Sequence, residues 1–167
     1  MRRLIALFFL SLMLLSGCIT LTGPVFQPTE PVADKALIYL YWTDLHVGRT
    51  GTLNFSIKAN SEEITTMYSG GFYTYYAPPG VLKFESHLNF GFMSAGLLDV
   101  ALAPTQRLKL DVEAGETYFV RCVDTFMPRG RALLMFVVDE KRGLYEMRGA
   151  KKLSDPQKNK APNDPDE

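Results

Sequence analysis

An all-β sandwich is the fold class this chain predicts, on three observations. Apolar residues alternate with polar ones at period two in a series of short runs, the spacing that puts one side of a strand in a core and the other in water. Turn residues separate those runs: Asn60-Ser61, Pro78-Pro79-Gly80 and Ala114-Gly115. No stretch shows a convincing amphipathic helical period.

Taken in order, Ala36–Trp42 is apolar on both faces and reads as a central strand. In residues 52–59, Leu53, Phe55, Ile57 and Ala59 alternate with Thr52, Asn54, Ser56 and Lys58. Asn60-Ser61 turns the chain into a short run at residues 63–67, and residues 72–77 end at Pro78-Pro79-Gly80, where Pro79 and Gly80 suit the centre of a type II turn. Residues 81–88 set Leu82, Phe84, Ser86 and Leu88 against Val81, Lys83, Glu85 and His87. Leu108, Leu110 and Val112 point inward from residues 107–112, and Ala114-Gly115 leads into a strand at residues 116–123. Residues 132–138 form another strand apolar on both faces, and residues 144–148 a short last one with Tyr145 and Met147 inward. About seven to nine such strands fit an immunoglobulin-like or transthyretin-like β-sandwich. Residues 89–104 escape the pattern: Phe90, Phe92, Met93, Leu97, Leu98, Val100 and Leu102 are too apolar for a plain loop. They read as a plug at one end of the sandwich, with a ligand gate or a partner surface as the alternatives.

Ahead of the domain, Arg2 and Arg3 precede an apolar run from Leu4 to Leu15, broken only by Ser11. That is secretory-signal length and short for a membrane span. Leu15-Ser16-Gly17-Cys18 resembles the bacterial lipobox. The resemblance implies cleavage between Gly17 and Cys18, and acylation of Cys18 by diacylglyceryl and an amine-linked palmitate. An ordinary signal peptide or an uncleaved anchor is the bland alternative. Acyl chains of that number hold a soluble domain on a bilayer without a spanning helix. Ile19 stands where lipoprotein sorting would read an aspartate as a retention signal, so the same resemblance implies the inner leaflet of an outer membrane, facing the periplasm. Residues 19–35, rich in threonine and proline, read as a flexible tether, and residues 151–167 as a disordered polar tail. The expected organisation is a signal peptide at 1–17, a lipidated tether at 18–35, a sandwich at 36–150 and the tail beyond.

Cleavage would take Arg2 and Arg3 from 18 basic residues and nothing from 18 acidic ones, leaving a net charge of about −2. That is no footprint for nucleic acid. With Cys18 acylated, Cys122 has no intramolecular partner. It shares a strand face with Tyr118 and Val120, opposite Arg121, and reads as a buried, inert thiol.

Three blocks carry a wider resemblance: Ala36-Leu37-Ile38-Tyr39-Leu40-Tyr41, Gly71-Phe72-Tyr73 through Pro78-Pro79-Gly80, and Ala114-Gly115-Glu116-Thr117-Tyr118-Phe119-Val120-Arg121. In order and spacing they resemble a family of bacterial envelope lipoproteins known only as a domain of unknown function. The resemblance covers most of residues 36–123 and implies a sandwich, with no catalytic residues to carry over. Residues 89–104 are longer than the family's usual connection.

Chemistry-bearing patterns are few. Asp44 and His46 lie two apart and His87 is remote, short of the three or four convergent ligands a metal needs. Ser69 before Gly70-Gly71 reads as turn chemistry, and no Gly-x-Ser-x-Gly elbow or phosphate-cradling loop occurs. Glu62, Glu63, Glu85, Asp111 and Glu113 fall on polar faces or turns. The chain therefore predicts no cofactor, no metal and no enzyme. The remaining candidate surface is aromatic: Tyr73 and Tyr75 share one strand face, Tyr39 and Tyr41 another. A solvent-facing pair would stack on sugars or meet a protein; otherwise both pairs pack within the sandwich. The expected role is a non-catalytic, periplasm-facing interaction module for an envelope protein, with a glycan, peptidoglycan or small-ligand binder as the alternative.

Overall fold

β1 (Ala36–Trp42) is buried along its whole length. In the computed structural model, which describes residues 21, 23–43, 54–89 and 104–153, it is the middle strand of a five-stranded sheet. On one side β1 pairs antiparallel with β4 (Gly71–Ala77), which in turn pairs parallel with the two-residue β9 (Lys151–Lys152). On the other it runs parallel to β7 (Thr117–Met127), whose antiparallel partner β8 (Gly130–Val138) ends the sheet. The second sheet has the order β3-β2-β5-β6, from β2 (Asn54–Ala59), β3 (Glu62–Met67), β5 (Gly80–Asn89) and β6 (Gln106–Val112), all antiparallel. Among the described residues, nine strands in two sheets thus make an all-β, sandwich-like fold.

The period-two reading explains the core between the sheets. Ile38, Leu40 and Trp42 meet Phe55, Ile57, Leu82, Phe84, Val120, Cys122 and Leu133 there, with Leu108 and Leu110 packed at the margin. Asn60 and Ser61 both take left-handed backbone angles, φ 48° and 75°, as a two-residue hairpin turn requires. Pro78-Pro79 and Ala114-Gly115 do something else: they carry the chain between sheets, from β4 to β5 and from β6 to β7.

The outward face of β1 is covered as well. Leu37, Tyr39 and Tyr41 join Phe72, Phe119, Met147 and Ala150 in a second buried cluster. Its roof is α1 (Glu140–Glu146), the one helix among the described residues. Here the structure corrects the strand expected at residues 144–148. Asp139 caps the helix by accepting from the Arg142 N–H, and Arg142 pairs with Glu146 one turn on. Leu144 and Met147 then face the sheet at helical spacing, while Tyr145 swings into solvent at 68 % exposure. Gly143 makes the approach possible, since a Cβ there would lie 2.3 Å from the Phe119 ring.

Both expected domain boundaries move outward. Phe26, assigned to the tether, packs edge-on against Tyr39 and Phe72 at 5.2 and 5.3 Å between ring centres. Lys151 and Lys152, assigned to the tail, form β9, and Leu153 is buried in the inter-sheet core. The physical reason is that β1 and β4 are apolar on the outward face too, which Phe26 helps to cover, while β9 extends the sheet beside β4 and Leu153 fills the core between the sheets. Residues 1–20, the rest of the tail, Asp44, His46, and residues 90–103 of the apolar segment lie outside the described residues.

Candidate interaction surfaces

The four tyrosines do not form a common surface. Tyr73 and Tyr75 point from β4 into the space between the sheets, half-buried, with Tyr75 edge-on to Phe84 at 6.3 Å. Burial, reinforced by the charge of Glu62, raises the Tyr75 phenol above its ordinary pKa. Tyr39 and Tyr41 leave the same sheet on its opposite side and are 1 % and 0 % exposed. The Tyr39 ring stacks on Phe119, and its hydroxyl accepts from the Thr29 N–H at 2.8 Å. Tyr39 and Tyr41 are therefore not available as a stacking row, because α1 and the segment before β1 cover them.

Tyr41 belongs to a polar cluster instead. Its hydroxyl donates to Glu146 Oε2 at 2.8 Å, Arg142 Nε donates to Oε1 at 2.8 Å, and Arg121 Nε lies 3.4 Å from Oε2. Burial pushes the Glu146 carboxyl up, but the hydrogen bonds from Arg142 and Tyr41 and the charges of Arg121 and Arg142 outweigh it, so its pKa falls below 4.5. Burial, with the hydrogen bond to Glu146 and its charge, drives the Tyr41 phenol far upward. Both groups are thereby held in one protonation state near neutrality. The cluster fastens α1 to β1 and β7.

Other carboxylates are paired in the same way. Glu85 meets Arg107 at 2.8 Å and His87 at 3.6 Å, and the hydrogen bond from Arg107 leads in holding its pKa down. His87 Nδ1 also faces Thr105 Oγ1 at 3.2 Å, and Asp124 pairs with Arg131 across the β7–β8 hairpin. Cys122 is buried, as expected, and burial pushes its thiol up to about 12. Among the described residues, no group of three histidines, cysteines or carboxylates is placed to hold a metal, and no helix is long and apolar enough to cross a membrane.

The surface feature that sequence reasoning missed is the edge of the first sheet. Residues 132–138, apolar on both faces, belong to β8, which among the described residues stands at an edge of its sheet. The other three edges carry charge: Arg107, Lys109 and Asp111 are exposed on β6, Glu62 and Glu63 on β3, and lysines make up β9. Such charges keep foreign strands from pairing with an open edge. β8 exposes Phe136 at 48 % and Val137 at 47 %, and Phe126 is 71 % exposed near the hairpin tip, with the Arg131 guanidinium 4.6 Å from its ring centre. The Leu133 carbonyl of β8 accepts from the Ser86 hydroxyl at 2.7 Å. This acceptor is turned away from β7, and alternate residues along a strand share that aspect.

A second feature is an open groove of about 480 Å³ along α1, lined by Asp139, Lys141, Arg142, Leu144, Tyr145 and Arg148. Arg148 lies 5.3 Å from the centre of the exposed Tyr145 ring. No family model, curated protein or solved structure matches the chain.

Proposed function

We propose that this chain is a lipid-anchored envelope protein, held by an acylated Cys18 and facing the periplasm. It works as a non-catalytic docking module that receives an extended segment of a partner protein along β8. The observation that carries this reading is the contrast between three charged edges and one apolar one. A strand apolar on both faces belongs in a sheet interior by its composition, and an added strand would give it that setting. The anchor is supported by the lipobox-like Leu15-Ser16-Gly17-Cys18. The three blocks that carry the resemblance to the envelope lipoprotein family form β4, β1 and β7, neighbours in one sheet. We read the fold as an immunoglobulin-like or transthyretin-like sandwich because the chain passes repeatedly between two packed sheets, at β1–β2, β3–β4, β4–β5 and β6–β7.

The test is a photoreactive residue at Phe136 in the native envelope, combined with Val137→Pro. Val137 lies four residues past Leu133, so its N–H is turned away from β7 like the Leu133 carbonyl that Ser86 of β5 occupies, and proline there removes a donor that an added strand would use. A discrete protein adduct that disappears in Val137→Pro, with an unchanged melting curve, supports the docking module. An adduct insensitive to Val137→Pro sinks strand addition. For the anchor, Cys18→Ala abolishes fatty-acid incorporation and moves the protein to the soluble fraction; retention of both in the variant refutes it. The groove along α1 favours a second reading, a glycan binder, because Tyr145 offers an exposed ring flanked by Arg148. Peptidoglycan retention that vanishes in Tyr145→Ala would select it.

A further inference from the structure

The segment before β1 is built into the domain almost from the anchor onward. Leu21 packs against the inter-sheet core, and the Pro24 carbonyl accepts from the Lys152 N–H at 2.9 Å. Val25 bridges Lys151 antiparallel, and the Phe26 N–H donates to the Ala150 carbonyl at 2.9 Å. A Cβ on Gly23 would lie 1.9 Å from the Lys152 carbonyl oxygen, so only glycine allows this approach. From there the chain crosses the outer face of the first sheet, through Phe26 and Thr29 on Tyr39, to reach β1. It enters at the end of the sandwich where Trp42 pairs with Gly71 and Gly71 with Lys151. The Pro79–Gly80 and Ala114–Gly115 turns lie at the opposite end, beside Ala77 and Lys35.

Only Ile19 and Thr20 separate Cys18 from Leu21, three residue steps and a reach of about 11 Å at full extension. That is close to the distance over which charges act in physiological salt, about 8 Å. Lys151 and Lys152 stand beside the strap, and Arg148 is exposed just before them. The nearest acid on α1, Glu146, is already occupied by Tyr41, Arg142 and Arg121. We infer that this end of the sandwich, presenting Arg148, Lys151 and Lys152, lies against the anionic phospholipid headgroups of the membrane that holds Cys18. The strap is then a short leash that fixes orientation, with the Pro79 end directed away from the bilayer. This inference rests on the lipid-anchor reading.

The experiment uses the full acylated chain in phosphatidylcholine vesicles with and without phosphatidylglycerol, and a quencher on the lipid headgroup. A fluorophore is placed at Ser69→Cys, in the turn just before β4 at the entry end, or at Pro79→Cys at the far end; buried Cys122 stays unlabelled. The expected result is quenching several-fold stronger at position 69 than at position 79. Lys151→Glu with Lys152→Glu reduces that contrast in phosphatidylglycerol vesicles only. About twenty Gly/Ser residues inserted between Ile19 and Thr20 add a leash of roughly 25 Å without touching the fold, and erase most of the contrast. Equal quenching at both positions in acylated protein overturns the orientation while leaving the anchor intact. Contrast that survives the insertion overturns the leash. Protein carrying no acyl group on Cys18 by mass spectrometry sinks the anchor reading, and the orientation with it.

Discussion

Glu146 illustrates how one side chain ties three elements together. It is placed by α1, and its two oxygens meet donors from β1, β7 and α1 itself. Removing its charge leaves the Tyr41 hydroxyl and a half-buried Arg121 short of a partner, which costs about 1–3 kcal/mol. Glu146→Gln is therefore expected to lower the unfolding free energy by that amount at pH 7. The sign of its pH dependence follows from the depressed pKa. The ionised carboxylate stabilises the fold above its unfolded-state pKa, and the contribution is lost as pH falls through the lower folded value. The gap between wild type and Glu146→Gln in urea titrations should accordingly narrow from pH 7 to pH 3; a constant gap would refute the electrostatic origin. Cys122 works in the opposite range. Its thiol rises from 9.0 to about 12 on burial, so the unfolded chain loses its proton first as pH rises. Stability should fall between those values by up to about 1.4 kcal/mol per pH unit, and Cys122→Ser should flatten that slope. Reaction of Cys122 with a thiol reagent at neutral pH should proceed only at the rate of unfolding.

Among the elements, α1 shows most clearly what a packed approach demands. Gly143 sits where a Cβ would press on the Phe119 ring, so Gly143→Ala sets about 1 kcal/mol of gained helix propensity against about 1–3 kcal/mol of overpacking. A net loss in melting temperature is expected, relieved when Phe119→Leu is added; a gain in the single variant would show that the helix floats above the sheet. Several strands were legible because they alternate at period two, as in Leu82-Lys83-Phe84-Glu85. α1 was not, because seven residues give under two turns and Tyr145 and Met147 mimic a strand period. Its signals were local: Asp139 as a cap, and Arg142 with Glu146 at i and i+4. β8 shows a different limit. Composition tells how apolar a strand is on each face, but not whether a neighbour stands beside it. The same limit hid the fate of Tyr39 and Tyr41, whose cover comes from distant residues such as Phe26 and Met147.

At the scale of the molecule, the sandwich is completed by both of its flanks. The outward face of β1 and β4 carries Leu37, Tyr39, Tyr41 and Phe72, and Phe26 from one flank with Leu144, Met147 and Ala150 from the other closes over it, while Leu153 completes the core between the sheets. A fragment limited to residues 36–150 keeps every long strand and the helix. It loses the Phe26 ring from Tyr39 and Phe72, and the Leu153 side chain from the main core. Burial of one large apolar side chain is worth about 1.5–3 kcal/mol, so the two together amount to roughly 3–6 kcal/mol. That is a large part of the 5–15 kcal/mol by which a domain of this kind is ordinarily stable. Urea unfolding of residues 36–150 against residues 19–153 should therefore show a much lower midpoint for the shorter chain, with a smaller m-value because less surface is exposed on unfolding. Equal midpoints would mean that the strap and β9 rest on a finished domain. The lower midpoint would make the strap part of the fold, so that under the proposed lipid anchor a pull on Cys18 would act directly on the packing over β1.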